Sequence, residues 1–148
     1  LRRLRAHFER TGDETRLSRT SQHLGEIAVA HRGIPGALES FATSLEIDHA
    51  QGAVTDMLAV IMWIGGAAAL VSSPDQAMAL TADAHLLLHH IRPALAQQTM
   101  RLMGAAGVPC ERACRLTSEA GGTTTIDQLW SRARETVSAV SASSLLLA

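Results

Sequence analysis

Fifteen consecutive residues without a charge, Met57 to Val71 (MLAVIMWIGGAAALV), restrict this chain more than any other feature in it. A strand of ordinary length runs only about 5–6 residues. A helix that crosses a bilayer needs about 20 apolar residues. The nearest Arg residues, Arg32 and Arg92, are also too far away to supply basic flanks. The segment therefore reads as a helix buried among other helices of a water-facing protein, not as a membrane span. Two adjacent glycines, Gly65 and Gly66, lie inside it, and each costs about 1 kcal/mol relative to Ala in a helix interior. Gly65, Ala68 and Ala69 fall on one face, which predicts a neighbouring helix at very close approach.

The remaining 133 positions must build the surroundings of that helix, and at 148 residues with 47% apolar content the chain has the size and core of one ordinary domain. Formal net charge is −1, and the thirteen basic residues are all Arg, seven up to Pro74 and six after it. No stripe of positive charge forms, so direct nucleic-acid binding is not expected. Arg2, Arg3 and Arg5 read as the exposed side of a helix end. Lys, Asn and Tyr are absent, and these three share AT-rich codons, which points to a GC-rich bacterial genome. Cys110 and Cys114 sit four apart in an expected helix, where a disulfide is geometrically poor, and a reducing cytoplasmic setting fits them. The chain shows no signal peptide, and its start at Leu1 without an initiator Met predicts a fragment of a longer protein.

Shifting the sequence against itself by forty residues superposes Gly12 on Gly52, Leu17 on Met57, and Leu24-Gly25 on Ile64-Gly65. Ala28 falls on Ala68, Ala37 on Ala77, and Leu38 on Met78. A period of this length marks stacked helical repeats. Each unit reads as helix, tight turn, helix: 15–31 and 36–50 in a unit spanning about 13–52, then 54–71 and 74–91 in a unit spanning about 53–92. Ser73 is the expected N-cap of the fourth helix, with Pro74 at its first position and Gln76 completing a capping box. Gly12 and Gly52 mark the connections between pairs. Helices near 94–104 and 110–119 follow, then a loop at 121–125, and a last helix from Ile126 capped by Thr124 or Thr125. Residues 93–148 are thus expected to be C-terminal capping helices. The fold expected is all-α, with about six or seven helices.

With Leu24, Gly25, Ala28, Ala37 and Phe41 in the first unit, and Ile64, Gly65, Ala68 and Ala77 in the second, the chain resembles the tetratricopeptide-type repeat region of large bacterial NTPase-type transcriptional regulators. These are often actinobacterial and often LuxR-type. The second unit departs at Thr81, where an aromatic is usual. The resemblance implies antiparallel helix pairs stacked as a right-handed α-solenoid. It also implies a non-catalytic role in protein–protein interaction or effector sensing, with the NTPase and DNA-binding domains elsewhere in the longer chain.

In such a solenoid the first helix of each pair lines the concave side, so the expected partner groove carries Arg19, Gln22 and Glu26 from the first unit and Met62, Trp63 and Gly66 from the second. A polar rim beside an apolar floor would suit a protein or peptide partner. The chain carries no Gly-rich phosphate loop with its Lys and no strained-turn serine, and a catalytic role is not expected. The runner-up reading is a small-ligand or metal-binding bundle built on His85, His89 and His90. His85 and His89 lie one helical turn apart, but the pattern lacks the Glu of a helical metalloprotease. Cys110 and Cys114 form a lone pair where a structural zinc site needs four ligands. Neither a resident metal nor a cofactor is expected.

Overall fold

The structure, a computed structural model, describes residues 1–72, 74–121 and 124–147, with side chains to residue 143. Eight helices and no strand occur among the described residues: α1 (Arg2–Thr11), α2 (Glu14–Ala30), α3 (Ile34–Gln51), α4 (Val54–Ala69), α5 (Pro74–Ile91), α6 (Pro93–Ala105), α7 (Glu111–Ala120) and α8 (Ile126–Leu147). The helix beyond the expected number is α1, which has no buried residue of its own.

The forty-residue period is visible in the backbone. α2 and α4 start forty residues apart, and so do α3 and α5. Gly12 and Gly52 both take the left-handed conformation, with φ of 71° and 67°. That conformation carries little penalty only without a Cβ. The amide after each glycine then bonds back across the helix end, Asp13 to the Phe8 carbonyl and Ala53 to the Asp48 carbonyl. This is the glycine C-cap that turns a helix sharply. α1 thus ends in the same geometry as α3, and it packs on α2 as α3 packs on α4. Ser73, the expected cap of α5, lies outside the described residues, as do Gly122 and Thr123 of the 121–125 loop. Thr125 caps α8: its Oγ1 accepts from the Gln128 amide, and the Gln128 side chain accepts from the Thr125 amide.

α4 occupies the middle of the molecule. It touches α2, α3, α5, α6 and α8, and every residue from Met57 to Ala68 is buried. The two glycines serve different neighbours. A methyl carbon on Gly65 would fall within 3 Å of Thr81 Oγ1, the Ala77 carbonyl and the Thr81 amide of α5. One on Gly66 would meet the side chains of Met103 in α6 and Val108 just beyond it. Adjacent helical residues point about 100° apart, so a glycine pair opens two directions at once.

After the second pair the pattern changes. α7 packs against α5 instead of returning along α6, and α8 lies against α3, α4 and α5. Leu129, Ala133 and Val140 of α8 enter the core. Arg132 donates to Asp83 at 2.7 Å. Trp130 stacks on His49 with ring centroids 3.8 Å apart, while the Arg134 guanidinium covers the Trp130 ring at 4.5 Å and reaches Glu46 at 3.0 Å. None of the helices is long and apolar enough to cross a membrane among the described residues.

Candidate functional site: a groove between α2 and α6

α2 and α6 lie on either side of α4, and the space between them is an open groove of about 550 Å³. His23, Glu26, Ile27 and Ala30 form one wall, Leu102, Ala105 and Ala106 the other, Trp63 reaches it from below, and Leu1 stands at its rim. Ile27, Leu102 and Leu1 are each close to half exposed, at 48%, 45% and 50%. Large apolar side chains left in water at one place mark an interaction surface more readily than scattered ones do.

One end of the groove is tied by Arg32. This residue has a φ of 62°, a conformation that costs a non-glycine residue roughly 1–2 kcal/mol. Its guanidinium donates to the Val29 and Ala106 carbonyls at 2.9 Å each, and to Gly107 at 3.4 Å. Those carbonyls belong to the ends of α2 and α6, so one cation satisfies both and offsets the negative ends of both helix dipoles.

Glu26 is the charged group of the wall. Its side chain is 16% exposed, and the nearest basic atom is His23 Nδ1 at 3.9 Å. Burial without a strong partner pushes its carboxyl up to about 7.

The six groove residues expected from the sequence separate in space. Glu26 and Trp63 line the groove. Arg19 and Gln22 lie on α2 outside its lining, exposed and half-buried. Met62 and Gly66 require a correction. Both are buried, Gly66 beneath Met103 and Val108, while the Met62 carbonyl accepts the Thr81 hydroxyl of α5 at 2.8 Å. The expected apolar floor is therefore buried within the chain itself, and the large apolar side chain of α4 that lines the groove is Trp63.

The repeat-packing positions fall as follows. Gly25 faces the Phe41 ring, which stacks on Trp63 at 5.9 Å. Ala37, Ile64, Ala68 and Ala77 are buried, Ala28 is half-buried against the core, and Leu24 lines a separate cavity with Arg2, Arg5 and Glu39.

The three histidines of the cluster lie in the C-terminal half of α5. His85 and His89 stack with centroids 5.8 Å apart, His90 turns away at 62° to His89, and no three His, Cys, Asp or Glu side chains converge among the described residues. His85 is buried with Nδ1 unpartnered, and burial, then His89, lowers its pKa. Cys110 and Cys114 are both buried free thiols. The Cys114 thiol donates toward Cys110, which lowers Cys110 and raises Cys114.

A polar cluster between α2 and α3 was not anticipated. The Ser18 hydroxyl of α2 donates to Asp48 Oδ1 of α3 at 2.5 Å and lies 2.9 Å from Ser44 Oγ. All three are buried. Burial, with a smaller push from Asp56, raises Asp48 to about 6 against the pull of the two serine hydroxyls. The self-alignment held the signal, because these residues superpose on Leu58, Ala84 and Leu88.

No family model, curated protein or solved structure matches the chain.

Proposed function

We propose that this chain is a non-catalytic helical-repeat module that binds a protein or peptide segment in the groove between α2 and α6. The observation that carries the reading is the gathering of Ile27, Leu102 and Leu1, all about half exposed, around one half-buried carboxylate. Supporting it are the forty-residue register of helix starts and the two glycine caps, which suit tetratricopeptide-like pairs stacked as a right-handed solenoid. On that reading the module works inside a larger bacterial NTPase-type transcriptional regulator in the cytoplasm, and touches no DNA or membrane itself. The arrangement is that of a helix-in-groove receptor, where apolar anchors supply affinity and a few polar groups set orientation.

Panning a displayed library of helical peptides against the chain tests this. Selected peptides should lose binding to Leu102→Asp and Ile27→Asp and keep it to Leu116→Asp, an exposed leucine of α7. Peptides indifferent to both groove variants would overturn the assignment.

A further inference from the structure

The groove has a charge requirement that its apolar walls do not explain. Among the described residues, Glu26 and His23 are the only ionisable side chains in its lining. Glu26 lines the groove with Ile27, Ala30, Leu102 and Ala105, no hydrogen-bond donor among the described residues is placed on it, and His23, itself 59% exposed, stands 3.9 Å away, too far for a good hydrogen bond. A carboxylate held in such a place is poorly solvated on one side and open on the other. The group that would compensate it must come from whatever fills the groove.

We propose that the occupant is a protein segment that lays apolar side chains between Ile27 and Leu102 and presents one Lys or Arg cation to Glu26. This rests on reading the groove as a docking site, and it adds a selection rule to that reading. A purely apolar segment would cover Glu26 and leave its carboxyl without a partner, so it is rejected. An acidic segment is rejected more strongly, because like charges meet in a poorly solvated place. A segment with one correctly placed cation gains a charge-assisted hydrogen bond.

Three probes that share a six-carbon stem separate the possibilities: n-hexylammonium, 1-hexanol and hexanoate. Each is titrated into the full chain at pH 8, where Glu26 is ionised, while the methyl resonances of Ile27, Leu102 and Ala105 are followed by NMR. The expected result is that hexylammonium shifts these methyls with an affinity about tenfold above hexanol, as one charge-assisted hydrogen bond implies, and that hexanoate binds weakest. Glu26→Gln should erase the preference for the amine and leave hexanol binding unchanged. If hexanol equals hexylammonium in the unaltered chain, the cation rule is wrong while the groove remains a docking site. If none of the three probes moves the groove methyls, the docking assignment itself falls, and the rule with it. If Glu26→Gln keeps the amine preference, the cation is recognised elsewhere and the proposal is overturned.

Discussion

The two helix pairs α2–α3 and α4–α5 share a register but are held by opposite means. In the first pair the glycine at position 25 faces an aromatic ring, and the interface further along is closed by Ser18, Ser44 and Asp48. In the second, the glycine at position 65 faces the Thr81 hydroxyl, which replaces the ring, with main-chain atoms of α5 close behind it, and the three polar positions become Leu58, Ala84 and Leu88. The Phe41 ring fills the space over Gly25, whereas Thr81 stands over Gly65 and donates to the backbone of α4. A repeated backbone thus accepts two interior chemistries. The apolar, close-packed version surrounds the central helix, and the polar, ring-filled version lies at the side that carries the groove wall. The lesson is that a shared register sets where helices begin and end, while single positions such as 41 and 81 decide what fills the space between them.

The largest expected effect separates the two glycines. Gly65→Ala should destabilise by about 2–3 kcal/mol, because behind the Thr81 hydroxyl the obstacle is backbone that cannot swing aside. Gly25→Ala should cost about 1–2 kcal/mol, since the ring can shift and Ala favours the helix. Phe41→Leu added to Gly25→Ala should recover much of the loss. Thr81→Ala added to Gly65→Ala should not, because the Ala77 carbonyl and Thr81 amide remain in place. Urea denaturation of the four variants checks this, and equal rescue in both pairs would erase the contrast.

The polar interface of the first pair has a pH signature. The folded state holds the Asp48 proton more tightly than an unfolded chain does, since its value is raised from 3.8 to about 6. The stabilisation is therefore complete below 3.8 and is lost as pH rises through about 6. Glu26 acts in the same direction up to about 7. Between pH 4 and pH 8 the Asp48 carboxyl should remove about 2 kcal/mol of stability. Asp48→Asn keeps an acceptor for Ser18 and should flatten that fall. A fall of undiminished size in Asp48→Asn would place its origin elsewhere. Replacing Ser18, Ser44 and Asp48 together by Leu, Ala and Leu, as in the second pair, should leave stability at pH 8 equal or higher.

Smaller effects concern the ties between elements. Arg32→Ala loses two 2.9 Å hydrogen bonds and keeps the strained backbone, so thermal melts should show a loss of about 1–3 kcal/mol. Arg32→Gly should lose about 1 kcal/mol less, because it relieves that strain. Arg134→Ala removes an exposed ion pair and a cation–ring contact on α8, and the same measurement should register less than about 1 kcal/mol.

Much of this architecture was legible from punctuation. Gly12, Gly52, Pro74, Pro93 and Thr125 mark helix ends because each has a local physical reason to stand there. The burial of α4 followed from a run too apolar for any surface. α1 was read only as a helix end carrying Arg2, Arg3 and Arg5, because the forty-residue self-alignment begins at Gly12, and its short apolar stripe of Leu1, Leu4 and Phe8 buries no residue. The groove was only partly legible. Glu26 and Trp63 line it, but Met62 and Gly66 are buried, and nothing local to α4 reveals that Thr81 stands against the Met62 carbonyl or that Met103 and Val108 cover Gly66. Leu102 and Arg32 act through partners 39 and 74 residues away along the chain, distances over which spacing rules carry no information. The Ser18–Asp48 pair was available in the forty-residue alignment as two polar residues opposite two leucines, a mismatch that marks a buried polar interface.

The contrast between the pairs makes one direct claim about dynamics: the close-packed α4–α5 pair opens only with the whole protein, while α2 opens separately at its polar interface. Native-state amide hydrogen exchange reads this residue by residue. The amides of residues 57–68 should exchange with a free energy equal to that of global unfolding and independent of small denaturant additions. Those of α2 around Ser18 and Ser21 should exchange at least about tenfold faster, through a smaller opening. Equal protection of α2 and α4, or greater protection in α2, would contradict the account.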